Sequence, residues 1–274
     1  MKVILFVRYS VVVADGATGA FLASQASRDD YIASLLDPER LKIRAFLFKN
    51  VVLASLCGQT VDIDPAWFRL AVSTSHHLPS EARRDLEDAV RPYPWAKVET
   101  DRSFSAITTD FLSEGASGVP LCFASMRLDD DDALGRTYLE SVVRYCREPF
   151  VDHIVSYTSG YVARFKRKQL RLTRFGVRYH PLNSVGMTYI GRFDPATKAI
   201  TSQKSSVFEA GSHARVDRSF PVVSNAVKPM FLRCIHGGQD TASVSRNELL
   251  GSSPVGLDHV LKHVALSPAL FGRE

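Results

Sequence analysis

Asp129, Asp130, Asp131 and Asp132 stand in a row, closing the apolar run Val119–Leu128 and preceding Ala133 and Leu134. Carboxylates this close repel one another unless something positive sits among them. A divalent cation carrying a diphosphate meets that need, because hard cations take oxygen ligands and keep positions for phosphate and water. In an extended stretch Asp129 and Asp131 point to one side, a spacing at which two carboxylates can share a metal. The simpler alternative is a helix start. Acidic residues in a first turn are worth about 0.3–1 kcal/mol each, and Asp is a good N-cap. One or two aspartates satisfy that role, whereas four go beyond it and add repulsion.

The elements around the run must bring it to a ligand. Residues 119–128 predict a strand entering the core, and 133–147 an amphipathic helix leaving it. Upstream, VILFV at 3–7 fits a buried strand. A Gly/Ala/Ser-rich stretch to about residue 30 is loop-like, with ADG and ATG as turn signals. Asp37 and Pro38 form a cap and first-position pair for a helix from Pro38 onward, with Leu41, Phe48, Val52 and Leu56 on its apolar side and Gly58 as its stop. Strand 67–75, a helix capped by Ser80, strand 96–99 and a short helix over 103–113 follow. This alternation predicts an α/β fold with a mostly parallel sheet and helices on both faces. Such sheets bind ligands at the carboxyl ends of their strands, where strand 119–128 delivers the aspartates. After Pro149 short β-rich segments suggest hairpins, then a strand in MFLRCIHGG and a helix in LDHVLKHVAL. Residues 1–150 thus form an α/β half and 151–274 a β-rich half of the same domain.

The chain has 274 residues, 45% of them hydrophobic and 23% charged, which is ordinary for a globular protein. Its net charge of +5 favours anionic partners. Cys57, Cys122, Cys146 and Cys234 form no CxxC pair, and Cys57 and Cys122 lie inside apolar runs, so buried free thiols are expected rather than disulfides or zinc. Five apolar residues between Lys2 and Arg8 are too few for a signal-peptide core, and no run reaches the roughly 20 needed to span a bilayer. A cytoplasmic location follows as the expectation, with any membrane attachment peripheral.

RLDDDDAL at 127–134 resembles the strand-end DxD region of GT-A-type nucleotide-sugar glycosyltransferases, and more narrowly a bacterial rhamnosyltransferase family in which a similar stretch recurs. Other segments are similar in order: VRYS at 7–10, RLKIRAFLFKNVVLASLCGQ at 40–59, LAVSTSHHLP at 70–79 and IHGGQDTAS at 235–243. The N-terminal insertion around 11–36 and the Gly-Gln of the late element depart from the family pattern.

The resemblance implies a GT-A-like fold, elaborated by hairpins in the C-terminal half. It implies a metal-dependent transferase that moves a sugar, rhamnose among the options, from a nucleotide-sugar to a glycan or lipid-linked acceptor. Carried over, Asp129 lies near the ribose, Asp131 and Asp132 hold Mn²⁺ or Mg²⁺, and Asp130 supports the turn or helps bind the donor sugar. The metal would neutralise the departing nucleoside diphosphate. Arg8, at the end of the first strand, is a nucleotide-binding candidate. His236 is the candidate late metal ligand, with Gly237 and Gly238 leaving room for a phosphate, and His213 is the runner-up. An inverting reaction needs a general base, for which Glu209 is the candidate and Asp194 and Asp217 are rivals.

The basic stretch RFKRKQLRLTR at 164–174 reads as a solvated hairpin face or as a docking surface for an anionic glycan, a lipid diphosphate or a membrane. Few aromatics interleave it and no nucleic-acid-binding motif accompanies it, so no nucleic acid partner is expected. Two rival functions use the same residues. One is a metal-dependent nucleotidyl or phosphoryl transferase, with no Walker A sequence to support a P-loop version. The other is a non-catalytic glycan-binding protein.

Overall fold

Continuous apolar runs make strands buried on both faces, and three such runs form the centre of this protein. In the computed structural model, which describes residues 1–12, 27–236 and 251–272, β1 (Lys2–Arg8) lies between β2 (Phe68–Thr74) and β4 (Leu121–Asp129), all parallel. β3 (Ala96–Thr100) extends the parallel set beyond β2. Val3, Leu5 and Val7 point into the largest core, while Ile4 and Phe6 point the other way onto Ile107 and Phe111. Both of the latter belong to α5 (Phe104–Ser113), whose first turn is capped by the Ser103 hydroxyl.

The α/β expectation holds, with helices on both faces of a mixed central sheet. α4 (Ser80–Val90) and α6 (Tyr138–Tyr145) pack on the face opposite α5, through Leu86, Val90, Leu139 and Val142. The second half of the chain does more than add hairpins. β6 (Ile154–Tyr157), β9 (Thr188–Asp194), β10 (Ala199–Ile200) and β11 (Val222–Asn225) continue the central sheet past β4, which pairs antiparallel with β9. A second sheet joins β5 (Ala133–Leu134), β7 (Ser159–Lys166), β8 (Arg171–Tyr179), β12 (Phe231–Ile235) and β13 (Ser253–Val255) in the order β13-β8-β7-β12-β5.

One helical run separates the two sheets. It begins after α1 (Arg28–Leu35) as α2 (Pro38–Leu47), with the Asp37 side chain accepting from the Arg40 N–H at 2.8 Å. It continues through a π-helical segment, Phe48–Leu53, into α3 (Ala54–Cys57), and stops at Gly58 as expected. Phe48, Val52 and Leu56 face the central core; Leu47 and Val51 face the core under the second sheet, with Val260 of α7 (Leu257–His263).

Three expectations are corrected. Ser80 is the first residue of α4 and not its cap, since Pro79 precedes it with no capping side chain. Cys57, at the end of its helix, is exposed. The segment 133–147 is not helical from its start. Ala133 and Leu134 instead pair with Leu232 and Phe231 of β12, and the helix starts only at Tyr138. Backbone partners hold the segment extended: Gly135 donates to the Met230 carbonyl at 2.6 Å, and Leu134 to the Ser55 hydroxyl at 3.2 Å. The aspartates therefore cap no helix. The ADG and ATG turns, together with Gly237 and Gly238, lie outside the described residues.

Leu47 is fully buried in the core beneath the second sheet. Leu47→Ala should cost about 2–5 kcal/mol in urea unfolding; a loss below about 1 kcal/mol would contradict the helix as the common support of both sheets.

Candidate active site

Asp129 ends β4 and Asp132 N–H donates back to the Asp129 carbonyl at 3.3 Å, so the four aspartates form a tight turn from the central sheet into the second one. Each carboxylate goes to a different element. Asp129, half exposed, lies opposite Arg8 in the β1–β4 register and 3.8 Å from the Arg127 guanidinium. Asp130 is 1% exposed and is gripped by Arg44 of α2 through both oxygens. Asp131 Oδ2 is hydrogen-bonded to His236 Nε2 at 2.8 Å. Asp132 accepts from the Cys234 N–H of β12 at 3.0 Å.

Burial sets the electrostatics. It pushes the Asp130 carboxyl up to about 6 despite the opposing Arg44 charge. Burial and the Asp131 charge together raise Asp132 well above the carboxylate range, with Arg233 opposing. A buried pair of carboxylates in this state favours a cation or a proton.

A positive wall stands beside the turn. Arg8 and Arg127 sit over the Phe208 ring, their guanidinium carbons 5.0 and 5.2 Å from its centre. Phe208 is held from beneath by Phe104, stacked at 4.3 Å. The turn carrying Phe208, Val207–Ala210, is pinned to β4 where the Val207 N–H donates to the Ser125 hydroxyl at 3.0 Å. His213 lies within electrostatic range of Arg127, Asp129, His180 and Arg233, and burial is the main cause of its pKa falling to about 4. It is therefore neutral at pH 7.

At the carboxyl ends of β1 and β2 the hydroxyls of Ser10, Ser73, Thr74 and Ser75 are buried with no hydrogen-bond partner among the described residues. Native proteins rarely leave buried hydroxyls unmatched, so these four are available to a polar ligand at that edge.

The structure brings Arg8, Asp129, Asp131, Asp132 and His236 to one region and anchors Asp130 to α2, facing away from solvent. Glu209 is exposed on the Phe208 turn, and its carboxylate accepts from the Ser205 N–H at 3.0 Å and from the Ser205 hydroxyl. Asp194 accepts from Ala196 N–H in a turn at the end of β9, as its Asp-Pro sequence suggests. Reading the sequence missed Arg44, Arg127, Phe208, Arg233 and the buried hydroxyls. Arg127, Arg44 and the hydroxyls lie within the family-like segments RLDDDDAL, RLKIRAFLFKNVVLASLCGQ, VRYS and LAVSTSHHLP, but nothing local marked them out; Phe208 and Arg233 had no such signal.

Carboxylate donors suit Mg²⁺ or Mn²⁺. Among the described residues no three His, Cys, Asp or Glu side chains converge as a complete metal cage. Asp131 and His236 do meet, and two protein donors fit a cation whose other positions go to water and substrate phosphates.

The sequence matches the family described as "Putative rhamnosyl transferase" over residues 2–248. No protein of curated function matches it significantly. Among solved structures, S. aureus TarS 1–349 aligns at 12% identity and TM-score 0.38, covering 95% of this chain and 68% of that one. Its complex with UDP aligns at 13% and 0.39 with the same coverage. A Bacillus anthracis protein described as "Putative Glucose-1-Phosphate Thymidylyltransferase" aligns at 10% and 0.30, covering 91% and 94%. Among the described residues no helix is long and apolar enough to cross a membrane.

Removing one partner of a buried ion pair costs about 3–5 kcal/mol because the other charge stays uncompensated. Arg44→Met should fall in that range by urea unfolding, and the double variant Arg44→Met, Asp130→Leu should recover most of it; additive losses would contradict the pairing.

His213 has a depressed folded pKa, about 4 against 6.5 when unfolded. The unfolded chain therefore takes up the proton first, and stability is lost as pH falls from about 6.5 to 4. His213→Gln should remove roughly 2 kcal/mol of that pH-dependent loss, the full worth of the shift (about 3.4 kcal/mol) being reduced by solvent screening of a partly exposed ring. The measurement is unfolding free energy against pH; an unchanged slope would contradict the burial of a neutral His213.

Proposed function

This chain belongs to the rhamnosyl transferase family and is thereby a glycosyltransferase, and from that premise we propose that it transfers a sugar, with rhamnose the first choice, from a nucleotide-sugar donor to a glycan or lipid-linked acceptor. One observation carries the reading. The aspartate turn sets Asp129 near the Arg127 guanidinium and Asp131 against His236 at the carboxyl end of the parallel strands β1 and β4, the edge where α/β sheets bind ligands.

The residues divide the work. Arg8 and Arg127, fixed over Phe208, face the charge of a diphosphate. The half-exposed Asp129 carboxylate suits a ribose hydroxyl, which would donate to it. The unmatched hydroxyls of Ser10, Ser73, Thr74 and Ser75 are placed for the nucleoside. Asp130 would position the turn through Arg44. Asp131 and His236, with Asp132 beside them, would hold Mn²⁺ or Mg²⁺, which when bound offsets charge on the departing diphosphate.

Glu209 is the proposed general base. The two hydrogen bonds from Ser205 orient its carboxylate without burying it, which leaves it open to take the proton of the acceptor hydroxyl. A lipid-linked acceptor would bring the enzyme to the inner face of the cell membrane as a peripheral protein.

A nucleoside diphosphate should raise the melting temperature only when Mn²⁺ or Mg²⁺ is present; ligand at about 100 times Kd contributes roughly 2.7 kcal/mol. Asp131→Ala should abolish that shift while the circular dichroism spectrum stays native. A shift independent of metal, or one retained in Asp131→Ala, would sink the assignment. Release of nucleoside diphosphate from a panel of nucleotide-sugars then identifies the donor.

A further inference from the structure

The basic stretch found in the sequence forms the free end of the β7–β8 hairpin. β7 and β8 pair from Ser159↔Tyr179 to Lys166↔Arg171, and a short turn, Arg167–Gln169, joins them. No Asp or Glu occurs between His153 and Phe193. Arg164, Lys166, Lys168, Arg171 and Arg174 are exposed at this end, and none has an ion-pair partner among the described residues.

Two features make the arrangement costly for the fold alone. Lys166 and Arg171 stand directly opposite each other in the ladder, where like charges destabilise a sheet. The ladder slips between Ala163 and Arg164, leaving Arg174 as a bulged residue at φ 51° with its side chain outside. The bulge adds a further cation to the same end.

Leu170 supplies an independent observation. It occupies the tip at φ 48°, a left-handed conformation that disfavours any side chain, yet it is 41% exposed. Glycine would relieve the strain, and the core gains little from this leucine. A half-exposed apolar residue ringed by cations is the pattern of a surface that enters a lipid interface. A soluble glycan polyanion would use the cations and have no use for the leucine.

The hairpin also points the right way. β7 runs parallel to β12, with Arg164 beside Ile235, and then continues past the end of β12. His236 follows Ile235, and Phe165 packs edge-on against its imidazole at 6.3 Å. The basic tip and the Asp131–His236 pair therefore lie at the same end of the second sheet.

We propose that the tip of the β7–β8 hairpin docks on a bilayer bearing anionic phospholipids, its lysines and arginines binding lipid phosphates while Leu170 enters between the headgroups. This gives the peripheral attachment a location and turns the site toward a lipid-linked acceptor. Only that purpose rests on the sugar-transfer reading, because docking is measured without turnover.

The full chain should co-sediment with vesicles of phosphatidylcholine mixed with phosphatidylglycerol and not with phosphatidylcholine alone, and added salt should weaken binding. Each cation near an anionic surface is worth roughly fivefold in partitioning. Combining Lys166→Gln, Lys168→Gln and Arg171→Gln should lower binding on the order of a hundredfold. Leu170→Asn should weaken it with the salt dependence unchanged. Both variants should keep the metal-dependent nucleotide shift in melting temperature, which separates a failure of docking from a failure of the donor site. The proposal is overturned if the wild type ignores phosphatidylglycerol vesicles, if the triple variant binds them as well as wild type, or if Leu170→Asn binds undiminished. Binding to a soluble polyanion such as heparin, without vesicle binding, would also overturn it and give the surface to a glycan.

Discussion

Four carboxylates in one turn can be held together only if each is given its own partner. In this protein the partners come from every element around the turn: β1 and β4 for Asp129, α2 for Asp130, the residue after β12 for Asp131, and the β12 backbone for Asp132. The turn is also the covalent step from the central sheet to the second sheet. Mutual repulsion and sheet connection are therefore settled by the same hydrogen bonds. A change that frees one carboxylate loosens the seam between the sheets as well as the site.

The helix from Pro38 to Cys57 stands behind this seam. It presents one apolar side to each sheet and extends Arg44 to Asp130. Its π-helical middle, Phe48–Leu53, lies among residues buried on both sides. π segments occur most often near functional sites, and this one lies in the run whose first turns hold the aspartate turn in place. Structural support and chemistry are thus adjacent along one helix. In front of the turn the charge balance reverses: Arg8 and Arg127 share Phe208 as a platform, so guanidiniums stand beside carboxylates at this edge.

Much of the fold was legible because its signals are local. β1, β2 and β4 are continuous apolar runs, Asp37-Pro38 marks a helix start, and Gly58 marks a stop. The segment 133–137 was misread because ALGRT carries helix-like spacing, while the bonds that keep it extended come from Met230 and Ser55, far away in the chain. The division of the second half between two sheets was hidden for the same reason. β9 and β12 look alike as short apolar strands, and only their pairing sends one to β4 and the other to β5.

The amino-acid sequence by itself determined that an aspartate run closes a buried strand at a sheet edge, that a late histidine follows another strand, and that a basic, acid-free stretch lies between them. Those are properties of residue type and of neighbours along the chain. Only the tertiary structure decided which aspartate meets His236, that Asp130 is tied to Arg44, and that Arg127 and Phe208 belong to the site. These contacts join residues separated by about a hundred positions or nearly so, and side-chain pairing over that distance depends on how the two sheets close on the helix between them. Local spacing carries no record of that closure.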